Sequence, residues 1–234
     1  MALSTSTYLI GWIAHFMIKT PTHLSVFDLD HTLLTQNSSF KFGVYLYQTG
    51  KLACYKMLLL VACYAFHKIG FCSFRRLHIL CLKIYFQFIS FSQLESWIEE
   101  FLDCHFEKMM NPVVVTKLFE AKKSNHYTMI LSTSPCFLVK HVAKRFQVDY
   151  WNGTSYIVDN DKLVGIASVL LGSDKAKYVK SFSNEKGLPI QQCTAYTDHI
   201  ADLPLLEAVG NAVAVNPSKK LRTLCLQNNW TILD

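Results

Sequence analysis

Residues Val26–Leu34 read VFDLDHTLL, an apolar run that delivers two aspartates, Asp28 and Asp30, one residue apart. Leu24–Phe27 has the length and apolarity of a short central strand in a parallel sheet. Alternate residues of an extended chain point the same way, so both carboxylates face one side at the strand's carboxyl end. Burying such a pair is costly unless a cation or a reaction uses it. Thr32 follows at a spacing from which its hydroxyl can tie the turn. Asp-x-Asp alone is also what a plain turn after a strand looks like, so the remainder of the chain has to decide.

The 234 residues accommodate one large α/β domain or a core with an inserted cap. At 51% hydrophobic residues the chain is oily for a soluble enzyme and ordinary for one that skirts a membrane. Its net charge of +6 is unevenly spread. No acidic residue lies between Asp30 and Glu95, whereas Lys41, Lys51, Lys56, Lys68, Arg75, Arg76 and Lys83 all do. An anionic partner is expected to meet that block. Its aromatics fall within apolar helix faces, so a nucleic-acid partner is not expected. The eight cysteines show no Cys-x-x-Cys and no zinc spacing, which points to free thiols in a reducing, cytoplasmic setting. Tyr8–Ile18 is too short to span a bilayer and lacks the flanks of a signal peptide; a helix on the core or on a membrane surface is expected there.

After the first motif, the pattern over 37–106 becomes helical. Met57–Phe66 is apolar on all sides, which implies burial in protein or lipid. Gly70 marks a turn, and Arg76, Lys83, Gln87 and Ser90 form one polar stripe on the helix that follows. Ser92-x-x-Glu95 predicts a capping box for a further amphipathic helix. Strands are predicted at Tyr127–Leu131, Cys193–Thr197 and Ala212–Val215, with an edge at Trp230–Leu233. A hairpin is predicted from Tyr156–Val158 and Leu163–Ala167, and helices from Phe137 and over Asp174–Phe182 and Leu203–Val209. This alternation predicts an α/β fold: a Rossmann-like parallel sheet flanked by helices, with an inserted α-helical cap. The boundaries expected are a core of 1–36 and 107–234 and a cap of 37–106.

Ligands of an open parallel sheet sit beyond the carboxyl ends of its strands. Three predicted strand ends carry complementary groups: Asp28 with Asp30, Ser132 with Thr133, and Asp198 with Asp202. The hydroxyls and backbone N–H groups at 132 and 133 suit phosphate oxygens. Gly172-Ser173-Asp174-Lys175 can place an ammonium among them, with Lys177 and Lys180 as nearby rivals. Several carboxylates against one lysine call for a hard divalent cation, and Mg²⁺ suits an oxygen-only set that leaves room for phosphate.

FDLDHTLL, LSTSP, GSDK and YTDHIADLPLLEAV with AVAVNP, in that order, resemble the four motifs of the haloacid dehalogenase (HAD) superfamily of phosphatases. Within it, the chain resembles the phosphoserine-phosphatase-like subgroup with a helical cap. The resemblance implies a Mg²⁺-dependent phosphomonoester hydrolase in which Asp28 is the nucleophile that becomes an aspartyl-phosphate and Asp30 is the general acid/base. It further implies Lys175 as a catalytic cation, and Ser132, Thr133 and Thr32 as phosphate-binding residues. Mg²⁺ would be held by Asp28, the Asp30 backbone carbonyl and Asp198, with Asp202 orienting Lys175 or a metal-bound water. Thr197 departs from the pattern, which commonly has glycine or serine there. His31, His199 and Cys136 are read as non-catalytic, and Asp161 and Asp174 as solvated turn residues.

A phosphoserine phosphatase would need a cap carboxylate for the substrate's amino group, and this stretch has none before Glu95. An apolar, basic cap resembles that of the phosphatidylglycerophosphatase C group, which implies a lipid phosphate and a peripheral position on the inner face of a membrane. The competing readings are a small-molecule phosphatase, such as one for phosphoserine, and a membrane-associated, non-catalytic binding protein on the same fold.

Overall fold

The computed structural model describes residues 21–86 and 89–234. The segment expected to be helical at Tyr8–Ile18 lies outside the described residues, as does Gln87. A seven-stranded sheet has β1 (Leu24–Phe27) at its centre, parallel to β2 (Tyr127–Pro135) on one side and β5 (Cys193–Thr197) on the other. Beyond β2 come β3 (Tyr150–Asp159) and the antiparallel edge strand β4 (Lys162–Ser168). Beyond β5 come β6 (Asn211–Val215) and the short parallel edge β7 (Thr231–Leu233).

All four residues of β1 are buried, as a strand covered on both faces requires. Leu24 and Val26 pack with Met129, Leu131 and Ala195 beneath α7 (Gly172–Lys186), α8 (Leu203–Ala208) and α9 (Lys219–Gln227). Phe27 points to the opposite face, stacks on Tyr196 at 4.5 Å, and joins Ile130 beneath α5 (Pro112–Lys123) and α6 (Cys136–Phe146). The mostly parallel sheet with helices on both faces is the α/β architecture read from the sequence.

Between β1 and α5 run α1 (Ser38–Gln48), α2 (Cys54–Lys68), α3 (Phe74–Cys81), a π-helical turn (Leu82–Phe86) and α4 (Phe91–Met109). Their apolar core is continuous with that of the sheet: Phe42, Leu60, Phe86, Ile98 and Phe101 belong to one cluster with Phe27, Ile130 and Phe137. Ion pairs fasten α4 onto α6, with Lys140 on Glu95 at 2.7 Å, His141 on Glu99 at 2.6 Å and Arg145 on Asp103 at 2.6 Å.

Several local expectations need correction. The cap of α4 is Ser90, which accepts from the Gln93 N–H; Ser92 instead donates its backbone N–H and hydroxyl to Asp161, so it closes no capping box. Asp161 is an exposed turn residue, as read, and it also tethers the β3–β4 turn to α4. The polar stripe does not lie on one helix, because α3 ends at Cys81 and a π turn replaces the next α turn. The apolar α2 buries Leu60 but leaves Tyr55, Leu58, Leu59 and Phe66 exposed, so within the described residues protein does not enclose it. β2 runs on through Ser132–Pro135, and β3 begins six residues before the predicted hairpin, at Tyr150.

α3 docks on the hairpin through His78, whose Nδ1 lies 2.7 Å from the Tyr156 hydroxyl. Burial pulls the His78 imidazole down from 6.5 to about 4, against a raising contact with the Thr133 backbone. A group depressed in the folded state stabilises fully above its unfolded pKa and loses that contribution as pH falls through the folded value. The unfolding free energy read from urea titrations should therefore fall between pH 6.5 and about 4, by about 3 kcal/mol from this group. His78→Phe should flatten that part of the profile.

Candidate active site

The loop after β1 is built to hold two carboxylates. Leu29, which separates them in sequence, buries its side chain in the apolar core, and Leu34 donates its N–H to the Leu29 carbonyl at 2.9 Å. His31 takes a left-handed conformation, φ 59°, which turns the chain back. Asp28 and Asp30 consequently both line one cavity of about 160 Å³, with Ser132, Lys175, Asp198 and Asp202. These residues come from the carboxyl ends of β1, β2 and β5 and from the start of α7, as the three-strand-end argument requires.

Lys175 is buried and donates to Asp28 Oδ1 at 2.8 Å and to Asp202 Oδ2 at 2.7 Å. Its rival Lys177 points to solvent, paired loosely with Asp174 at 3.6 Å. Glycine is needed at 172: a Cβ there would lie 1.9 Å from the Ala201 carbonyl oxygen, so α7 could not approach the Asp198–Asp202 loop. Thr197, the departure from the family pattern, donates its hydroxyl to Asp202 Oδ2 at 2.8 Å and helps fix that carboxylate.

Burial would pull the Lys175 ammonium down, but Asp28 and Asp202 outweigh it and hold its pKa above the ordinary value. Burial pushes Asp28 up to about 8 against the pull of Lys175, with Asp202 and Asp198 adding to the rise. Asp198 is likewise raised by burial, with His199 and His31 opposing. Lys175 pairs with Asp28 and Asp202, Asp198 lines the same cavity without an ammonium of its own, and the cluster is short of positive charge. An all-oxygen set with that deficit fits Mg²⁺. Among the described residues no group of three His, Cys, Asp or Glu side chains forms a metal site by itself. A carbonyl, phosphate or water ligand would have to complete one.

Asp30 is held from another direction. Its Oδ1 accepts the Ser38 N–H at 2.7 Å; its Oδ2 accepts the Ser134 hydroxyl at 2.5 Å and the Asn37 amide at 3.3 Å. Ser39 meets Ser134 at 2.9 Å. Asn37, Ser38 and Ser134 went unread as site residues. Ser134 stands in the LSTSP string, but nothing in it separates 134 from 132.

Ser132 lines the cavity, its hydroxyl accepting the Ser134 N–H at 3.1 Å. Thr133 also lines it, but its hydroxyl is turned away, donating to the Leu170 carbonyl at 3.0 Å. The expected hydroxyl contact to phosphate is corrected there. Thr32 is fully buried, does not line the cavity, and reaches Asp198 at 3.4 Å, so it supports a carboxylate rather than meeting phosphate. Tyr64, His67 and Phe74 close the cavity from the inserted helices, and Lys41, Lys51, Lys56, Arg75, Arg76 and Lys83 do not line it.

Residues 25–207 match the haloacid dehalogenase-like hydrolase family. The chain belongs to that family. Phosphoserine phosphatase SerB1 of Mycobacterium tuberculosis is 30% identical over 140 residues, covering 55% of this chain and 45% of that protein. The chain spans less than half the length of the mycobacterial relatives it matches, 36% to 45%. A protein of unknown function from Bordetella pertussis Tohama I has the same fold, with a TM-score of 0.83 at 22% identity over 92% of this chain and 99% of its own. A phosphoserine phosphatase solved as a phospho-aspartyl intermediate analogue superposes at 0.63, with 15% identity over 91% and 93% of the two chains. At these identities the structural likeness establishes the HAD fold.

Removing the lysine should strand two buried carboxylates. Lys175→Met is expected to lower stability at neutral pH by about 3–5 kcal/mol, read from urea unfolding. Adding Asp202→Asn should recover part of that loss, because one uncompensated charge is then gone.

Proposed function

We propose that the chain is a Mg²⁺-dependent phosphomonoester hydrolase acting through an aspartyl-phosphate, with 37–106 serving as cap and the remainder as catalytic core. The observation that carries this reading is the Asp28–Lys175–Asp202 bridge facing, within one cavity, an Asp30 held by separate donors. Lys175 occupies Oδ1 of Asp28 and leaves Oδ2 for attack on phosphorus. As the phosphorus–oxygen bond to the alcohol breaks, Asp30 gives its proton to the leaving oxygen. Asp30 then takes a proton from water, whose oxygen attacks the phosphorus, releasing phosphate and restoring Asp28. Lys175 and the Ser132 hydroxyl face the charge that develops on the phosphoryl oxygens. When bound by Asp28, Asp198 and the Asp30 carbonyl, Mg²⁺ supplies the positive charge that the carboxylates lack.

Wild-type protein should hydrolyse p-nitrophenyl phosphate with Mg²⁺ and lose that activity in EDTA. Asp28→Asn should cut the rate by at least about 10³-fold, and Asp198→Asn should raise the Mg²⁺ requirement. Wild-type turnover no greater than that of Asp28→Asn would instead favour the non-catalytic binding protein.

For partners, we infer a phosphorylated small molecule or lipid, and peripheral contact with an anionic membrane. Exposed Tyr55, Leu58, Phe66, Ile69 and Phe71, beside a stretch rich in lysine and arginine and free of acid, support the membrane reading. No described helix is long and apolar enough to cross a bilayer. The eight free cysteines suit a reducing compartment on its cytoplasmic side. Co-sedimentation with anionic vesicles, weakened by salt and absent with neutral vesicles, is the expected result. Equal recovery with both would count against an electrostatic contribution.

A further inference from the structure

A second cavity, of about 170 Å³, adjoins the catalytic one, and Asp30, Asn37, Tyr64, Phe74 and Thr133 line both. Its walls are apolar, with Phe42, Met57, Leu60, Leu77, Phe86 and Phe137 among them. Among the described residues no lysine, arginine or glutamate lines it, and Asp30 stands at its catalytic end. Its deep polar pair, His78 and Tyr156, is satisfied internally at 2.7 Å, and burial keeps that imidazole neutral.

The position of this chamber follows from the reaction. Phosphorus must lie over Asp28, and the leaving oxygen must lie within reach of Asp30. The rest of the alcohol then extends past Asp30, where the apolar chamber begins. We propose that this chamber receives the alcohol portion of the substrate, and that the substrate is a phosphate monoester of an uncharged, apolar alcohol. The proposal rests on the hydrolase reading above. A phosphorylated amino acid is disfavoured: its carboxylate would enter without a basic partner, and its ammonium would find only Asp30, already held by three donors. Apart from Phe137 of α6, the apolar groups named come from α1, α2, α3 and the π turn, so the inserted helices would select mainly by excluding charge rather than by pairing with it.

Alkylphosphonates test this without requiring turnover. Titration calorimetry with Mg²⁺ and methyl-, butyl- and hexylphosphonate should show affinity rising about threefold to fourfold per buried methylene, with an increasingly negative heat-capacity change. Leu77→Trp, or Val61→Trp at the exposed rim should the first fail to fold, should flatten the series, the loss falling on hexylphosphonate rather than methylphosphonate. A flat wild-type series overturns the proposal. So does a slope unchanged in a folded Trp variant, or tighter binding of 2-amino-3-phosphonopropionate than of hexylphosphonate. Hydrolysis of p-nitrophenyl phosphate beside a flat series would leave the hydrolase standing and remove the chamber's role; a steep series without any turnover would do the reverse. Comparing hexyl phosphate with a long-chain lipid phosphate in vesicles then tells a soluble source from a membrane one, and a preference for either over phosphoserine supports the proposal.

Discussion

A single buried ammonium holds the catalytic end of the sheet together. Lys175 sits between Asp28, which ends the central strand, and Asp202, which follows its neighbour β5, so one side chain ties α7 to two strand ends. Such a charge is tolerable only with partners at hydrogen-bond distance, and each partner would in turn be costly without it. This mutual dependence explains the local devices around it: the bare Cα of Gly172 that admits α7 against Ala201, and the Thr197 hydroxyl that holds Asp202. It also leaves the cluster short of positive charge, the condition that the proposed cation would relieve.

Asp30 answers to a different part of the chain. Its donors are the start of α1 and the end of β2, so the carboxylate assigned to proton transfer is positioned jointly by the inserted helices and the sheet. The insertion is no loosely attached lid, since its apolar core runs into that of the sheet and α4 is pinned to α6 by ion pairs. Asp30 lines both the cavity that holds Asp28 and Lys175 and the apolar chamber beside it, so in the proposed reaction chemistry and selection meet at one residue.

Much of this was legible from local pattern. β1 and β5 were read with their observed ends, because buried parallel strands are short apolar runs closed by polar residues. Asp28, Asp30, Ser132, Lys175, Asp198 and Asp202 were named from strand ends and motif spacing, and all six line one cavity. Errors gathered where a residue's partner is distant in sequence. Ser92 looks like a cap but is claimed by Asp161, sixty-nine residues away. Thr32 and Thr133 look like phosphate ligands but spend their hydroxyls on Asp198 and on the Leu170 carbonyl. Of the basic block, Lys41, Lys51, Lys56, Arg75, Arg76 and Lys83 line neither cavity.

The sequence by itself determined the α/β alternation, the cluster of carboxylates and the lysine, because side-chain chemistry at the ends of apolar runs is a local property. Only the tertiary structure decided which hydroxyls are free to meet a ligand, what fixes Asp30, and that the apolar helices leave a chamber beside it. Those outcomes depend on packing between segments a hundred residues apart, such as Asp30 with Ser134. A hydrophobic residue reads the same whether it fills a core, lines a pocket or faces solvent.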